Sequence, residues 1–216
     1  MSKTYAAGIL PSCVSPEGVG YFLVGLQPSA WHKTLRKRQD LVGWSYFQGW
    51  QDETDRNVEF TAAREASEET ADAIGSLHFL YETLCDKSAC CELFHGCFLI
   101  CLGELNEDQR ENVVKIHQRK KKYSLSMARR EMKFLKWITA TEMQEAIATG
   151  TCKSFQIDGL EEIEWRFRDF VPECLQNCTW KRGPLSSLLQ GEHPFPTQRN
   201  RWAEWENNAW VPESAK

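Results

Sequence analysis

Apolar and polar residues fall in short blocks along the chain, and the blocks predict its elements. TYAAGIL (4–10) and GYFLVGL (20–26) are apolar runs separated by PSCVSPEGV, rich in Pro, Ser and Gly. That pattern predicts strand, turn, strand. The basic stretch WHKTLRKRQD (31–40) predicts a loop or short helix, and WSYFQGW (44–50) a short strand entering a loop. QDETDRNV (51–58) is polar loop. From Glu59 the pattern is helical, with Phe60, Ala63, Ala66 or Ser67, and Thr70 recurring every three to four residues. Asn57 is its expected N-cap, Glu59 adds negative charge to the first turn, and Gly75 ends the segment.

Further on, SLHFLYETLC (76–85) and LFHGCFLICLG (93–103) predict two strands joined as a hairpin through DKSACCE. The polar, basic run from Asn106 to Glu131 predicts a long excursion. MKFLKWI (132–138) predicts a strand, and TATEMQEAIA (139–148) a helix opened by its threonines, with Gln144 three residues after Thr141. DGLEEIEWRFRDFVPECLQ (158–176) predicts an amphipathic helix. No internal repeat interrupts this order of strands, one helix, strands, then helices. The order predicts an α/β fold, a mixed sheet with helices packed on both faces. Residues 1–182 are expected to form one domain, and 183–216, rich in Trp and Pro, an irregular C-terminal extension.

Composition narrows the function classes. The chain of 216 residues is 42% hydrophobic and 26% charged, which is ordinary for a globular protein. A formal net charge of -4 gives no bulk field favouring nucleic acid or membrane. No apolar run approaches the roughly 20 residues of a membrane helix, and the N-terminus lacks the apolar core of a signal peptide. Nine cysteines at irregular spacing cannot all pair, so reduced thiols and a cytoplasmic location are expected. Of nine tryptophans, Trp165, Trp180, Trp202, Trp205 and Trp210 lie in the last quarter of the chain. They are expected to cover apolar surface, either the chain's own core or a protein partner docked on the tail.

The sharpest chemistry lies in AAREASEETADAIG (62–75). On a helix, Glu65, Glu68 and Glu69 share one face. Three carboxylates so placed repel one another, and Arg64 neutralises only part of that charge. A solvated acidic face is one explanation. A hard divalent cation, Mg2+ or Mn2+, bound through carboxylate oxygens with a phosphate completing its shell, is the other.

The run Arg64-Glu65-Ala66-Ser67-Glu68-Glu69-Thr70 resembles the REUxEE core of the Nudix box, with Gly49 as its upstream glycine. The resemblance covers roughly residues 4 to 175. It implies a Nudix-like α/β/α sandwich with a central mixed sheet, and a hydrolase that cleaves a pyrophosphate bond in a nucleoside diphosphate-linked substrate. It implies Mg2+ or Mn2+ as cofactor, with Glu65, Glu68, Glu69 and the Gly49 carbonyl as metal ligands. Arg64 would hold the glutamates, and Glu68, Glu69 or a later loop glutamate, Glu131, would help deprotonate water. Two positions depart from the family pattern. From Gly49 to Arg64 the loop is one residue longer than usual and has no glutamate at the usual place, so Asp52, Glu53 or Asp55 is expected to substitute. The glycine expected after the glutamate pair is Ala71, which implies a helix that runs on.

Substrate recognition is expected from two basic clusters, Lys33, Arg36, Lys37 and Arg38, and Arg119, Lys120, Lys121 and Lys122, and from aromatic residues near the box, Trp31, Trp44, Tyr46 and Trp50. Of these, Arg36, Arg38, Lys120 and Lys121 are the candidates for gripping phosphates, and Trp50 for stacking on a base. Such clusters also suit an RNA 5′ end or a dinucleoside polyphosphate. A third reading is a catalytically weak Nudix-fold binding module. The intact glutamates favour the enzyme, and the altered loop favours the module.

Overall fold

The computed structural model describes residues 5–27, 30–32, 37–39, 43–125, 132–149, 175 and 180–195. The chain begins with two long strands, β1 (Ala6–Val14) and β2 (Gly20–Gln27), which form an antiparallel pair only where Ser12–Val14 meet Phe22–Gly20. Beyond that pairing their other halves take different partners. The gap is filled by β5 (Gly43–Ser45), paired with the end of β2, and β6 (Phe47–Trp50), paired with the start of β1. On the outer edge of β2 lies β9 (Phe134–Thr139), antiparallel. On the other side of β1 lies β8 (Cys97–Glu104), parallel to it, and then β7 (Cys90–Phe94), antiparallel to β8. The result is a seven-stranded mixed sheet. A separate two-stranded ribbon joins β3 (Ala30–His32) to β4 (Lys37–Gln39).

Both faces of this sheet are apolar, because both are covered. On one face Ile9, Leu23, Phe47 and Phe98 pack with Ala62, Ala63 and Ala66 of α1 (Val58–Glu69), Leu80 and Leu84 of α2 (Leu77–Cys85), and Val113 of α3 (Glu107–Tyr123). The small alanines let α1 lie close to the sheet. On the other face Leu10, Phe22, Val24 and Leu99 pack with Met143 and Ala146 of α4 (Ala140–Thr149) and with Leu185 and Leu188 of α5 (Pro184–Leu189). This is the mixed α/β architecture with helices on both faces.

Several local expectations are corrected. Leu77–Cys85 of the stretch expected as a strand form helix α2. Ser76 caps it through its hydroxyl, which accepts from the Phe79 N–H, and Leu80, Thr83 and Leu84 are its buried positions. That spacing is helical, and the aromatic content concealed it. The hairpin is instead β7–β8, turning at Gly96, which has φ 81°. The polar excursion after Asn106 is α3, opened by a capping box in which Asn106 and Gln109 satisfy each other's backbone N–H groups. Its buried residues are Val113 and His117 alone, too narrow a stripe to read from the sequence. The basic stretch 31–40, expected as loop or helix, carries the β3 and β4 strands. The helix expected over 139–148 forms as Ala140–Thr149, opened by a box between Thr139 and Glu142.

The C-terminal extension is not irregular at its start. Pro184–Leu189 is helical, and Leu185 and Leu188 are buried. Trp180 packs edge-on against Phe22 with ring centres 6.2 Å apart, so this tryptophan covers the chain's own core. The helix expected over 158–176 and the tryptophans 165, 202, 205 and 210 lie outside the described residues, Leu175 excepted. No helix among the described residues is long and apolar enough to cross a membrane.

Candidate active site on helix α1

The divided strand β5–β6 delivers its end, Gly49 and Trp50, to the exposed flank of α1. A polar loop then turns back into the helix. Its turn is closed by the Asp55 N–H bonding the Asp52 carbonyl at 3.0 Å, and by the Asp52 N–H bonding Asp55 Oδ2 at 2.9 Å. Asn57 caps α1, its Oδ1 accepting from the Phe60 N–H at 2.8 Å.

Of the three loop acids, Asp55 is the one turned inward; Asp52 and Glu53 are exposed. The Asp55 side chain is fully buried, with Arg64 donating from Nε at 3.0 Å and from Nη2 at 2.8 Å and the Thr61 hydroxyl donating at 3.0 Å. Burial pushes the Asp55 carboxyl up, but the hydrogen bonds from Arg64, the Asp52 N–H and Thr61, with the guanidinium charge, outweigh it and hold the pKa below its ordinary value. Arg64 is correspondingly held charged, first by its bond to Asp55.

Arg64 is the hub of the site. Beyond Asp55, its Nη2 donates to the Trp50 carbonyl at 2.9 Å, which ties α1 to the end of β6. Its Nη1 lies 2.8 Å from Glu65 Oε1 and 3.2 Å from Glu68 Oε2, so the two carboxylates converge on one nitrogen. Gly49 sits directly beneath Glu65, and a Cβ there would collide with the Glu65 carboxyl group. A side chain at 49 would therefore displace the Glu65 carboxylate from its place beside Arg64.

The glutamates are not three equivalent members of one solvated face. Glu68 keeps 34% of its side chain exposed and Glu65 14%, while Glu69 is buried at 2%. The donor set is that of a hard divalent cation, all oxygen. Among the described residues, however, no three His, Cys, Asp or Glu side chains are gathered as a ready-made metal site. Where Glu65 and Glu68 converge, Arg64 already stands.

The end of α1 also differs from expectation. The helix does not run on through Ala71. It stops at Thr70, and Ala71 and Asp72 take left-handed backbone at φ 51° and 57°. The Asp72 N–H bonds the Ser67 carbonyl at 2.7 Å, and the Ser67 hydroxyl meets Asp72 Oδ1 at 2.5 Å, so side chain and backbone together close the turn. Left-handed backbone favours glycine, and here two other residues adopt it.

The remaining candidates are dispersed. Trp50 is 55% exposed at the edge of the site, whereas Trp44 and Tyr46 are core residues. Lys120 donates to the Asp72 carbonyl at 3.3 Å. Lys121 donates to the Met132 and Lys133 carbonyls at 2.7 and 2.9 Å and so joins α3 to the start of β9. Both lysines thus hold backbone. Arg36 and Glu131 lie outside the described residues, and Arg38 lies on β4, of which the backbone alone is described.

The sequence reading missed the cleft beside the site. Between α1 and α2 opens a cavity of about 630 Å³, reached by Arg64 and Glu68 and lined also by Arg56, Phe60 and Tyr81. Ser76, at helix-cap spacing before Leu77, Leu80 and Leu84, was the signal that α2 forms its far wall. No protein-family model matches the chain, and no curated protein matches it.

Proposed function

We propose that this chain is a Nudix-type hydrolase that cleaves a pyrophosphate bond in a nucleoside diphosphate-linked substrate, with Mg2+ or Mn2+ held on α1. The supporting observation is the convergence of Glu65 and Glu68 on Arg64 above Gly49. Glu65, Glu68 and Glu69 are the residues that would hold the cation, with the Gly49 carbonyl beside them. When bound, the cation offsets the charge of the phosphates and of the departing group.

The chain's own residues do the rest. Asp55 and the Trp50 carbonyl fix the guanidinium of Arg64, and Arg64 fixes the directions of Glu65 and Glu68. Glu68 is the more exposed of the two and borders the cleft. In this reading it accepts a proton from the attacking water as the new P–O bond forms. The bond from phosphorus to the bridging oxygen breaks, and the leaving phosphate takes its electrons.

A binding module is the second reading, favoured by the lack of a pre-gathered carboxylate trio among the described residues. An assay with Mn2+ separates the two. The substrates are ADP-ribose, NADH, coenzyme A, diadenosine polyphosphates, dNTPs and capped RNA, beside the Glu68→Gln and Glu69→Gln variants. The hydrolase reading expects turnover of at least one substrate, reduced 10²-fold or more in each variant, on the order expected for losing a positioned acid–base group. Wild-type rates no higher than those of the variants on every substrate would leave the module. Turnover of capped RNA alone would favour an RNA 5′ end as the substrate.

A further inference from the structure

The α1–α2 cleft holds a group that the hydrolase reading does not use. Arg56, exposed at the N-terminal end of α1, lies over two aromatic rings, 4.9 Å from the centre of Phe60 and 5.2 Å from that of Tyr81. The rings are themselves packed edge to face at 5.5 Å. Asn57, the cap of α1, donates to the Tyr81 hydroxyl at 3.3 Å and so ties that ring to the same helix end. Stacking fixes the guanidinium plane and leaves its N–H edges to donate.

The other guanidinium that lines the cleft is already committed to carboxylates. Arg64 is balanced by Asp55, Glu65 and Glu68, and Asp72 takes the Ser67 hydroxyl. Among the described residues no carboxylate pairs with Arg56. Lys120, reaching the Asp72 carbonyl, brings a second cation to the turn that borders the cleft. A preoriented guanidinium with unspent donors, on an aromatic wall, suits a ligand that carries both an anion and a planar ring.

We propose that this cleft is the recognition subsite for a nucleoside phosphate, with Arg56 binding its phosphate and the Phe60–Tyr81 wall receiving its base. The proposal rests on the hydrolase reading for its continuity with Glu68, yet it concerns binding and is tested without turnover. The probes are ADP, adenosine and ribose 5-phosphate, titrated calorimetrically in EDTA against wild type, Arg56→Ala, Arg56→Lys and Glu68→Gln. The melting temperature of each variant is checked against wild type.

The expected result is saturable ADP binding, weakened at least tenfold in Arg56→Ala and less in Arg56→Lys, which keeps the charge but not the fork. Adenosine should bind Arg56→Ala and wild type alike, while ribose 5-phosphate should lose its binding in Arg56→Ala. Glu68→Gln, which removes a carboxylate lining the cleft, should bind ADP at least as tightly as wild type. Arg56-dependent binding with no turnover of any substrate would uphold the cleft and sink the hydrolase. Turnover with ADP affinity unchanged in Arg56→Ala would do the reverse, and absence of ADP binding to wild type at millimolar concentration would also overturn the cleft.

Discussion

Asp55 and Arg64 form the contact on which the site's order depends. The Asp55 side chain is fully buried, so the pair is not a screened surface ion pair but a carboxylate whose solvation has been replaced by three donors. Asp55→Ala would leave the guanidinium without its main partner and loosen the loop feeding α1. Unfolding in urea should show a loss of roughly 3–5 kcal/mol, the range for breaking one side of a buried pair. The pair also predicts acid sensitivity. Because the folded pKa of Asp55 is lowered, its stabilisation is fully present above the unfolded value of about 3.9 and is lost as pH falls through the folded value. Urea midpoints measured from pH 6 down to pH 2 should fall steeply below about pH 4 in wild type, and less so in Asp55→Asn. Parallel curves for the two proteins would contradict this account.

Among the elements, α3 carries a polar group that serves no visible bond. His117 is fully buried, and neither ring nitrogen has a hydrogen-bond partner among the described residues. Burial pushes its pKa down to about 4, and the nearby Lys121 charge adds to the shift. A histidine neutral in the fold but free to protonate when unfolded favours unfolding as pH falls from about 6.5 towards 4. His117→Leu removes both the orphaned nitrogens and this proton linkage. It should raise the unfolding free energy at pH 5 and flatten its pH slope between pH 6.5 and 4, read from urea midpoints; wild type should lose on the order of 3 kcal/mol across that window. An unchanged slope in the variant would assign the linkage elsewhere. Elements with a strong period or a clear cap were legible from sequence. Helix α1 is one, since its alanines, Asn57 cap and glutamate spacing agree. Helix α2 was misread because Leu, Phe and Tyr suit a strand as readily as a buried helix, and helix α3 because two buried residues in seventeen leave almost no period. Within the site, the spacing of Glu65 and Glu68 was legible. Their division from the buried Glu69, and the choice of Asp55 over Asp52, depend on how the loop folds back, which no local pattern encodes.

For the whole molecule, the question is whether the chain after Gly183 belongs to the domain or hangs from it. Two observations place α5 in the core. Leu188 is fully buried on the face opposite α1, and its backbone lies so close to Gly20 that a Cβ at position 20 would collide with the Leu188 carbonyl. Backbone at both points cannot yield as a side-chain tip can. Leu188→Ala should therefore cost roughly 2–5 kcal/mol, the range for emptying a leucine site in a packed core. Gly20→Ala adds a methyl group that strands ordinarily accept, so any large loss must come from driving α5 away. If so, the two changes act on one contact. The double variant should be less destabilised than the sum of the single ones by more than about 0.5 kcal/mol, the limit of independent behaviour. Additive losses would mean that α5 is held by other neighbours, and a neutral Gly20→Ala would mean that α5 is not seated on β2 in solution. Coupling of the expected sign would make the sheet a core closed on both faces, with α1 and its carboxylates on one and α5 on the other. Loss of α5 would then reach the site through β2 and β1, the strands against which β5 and β6 set Gly49 beneath Glu65.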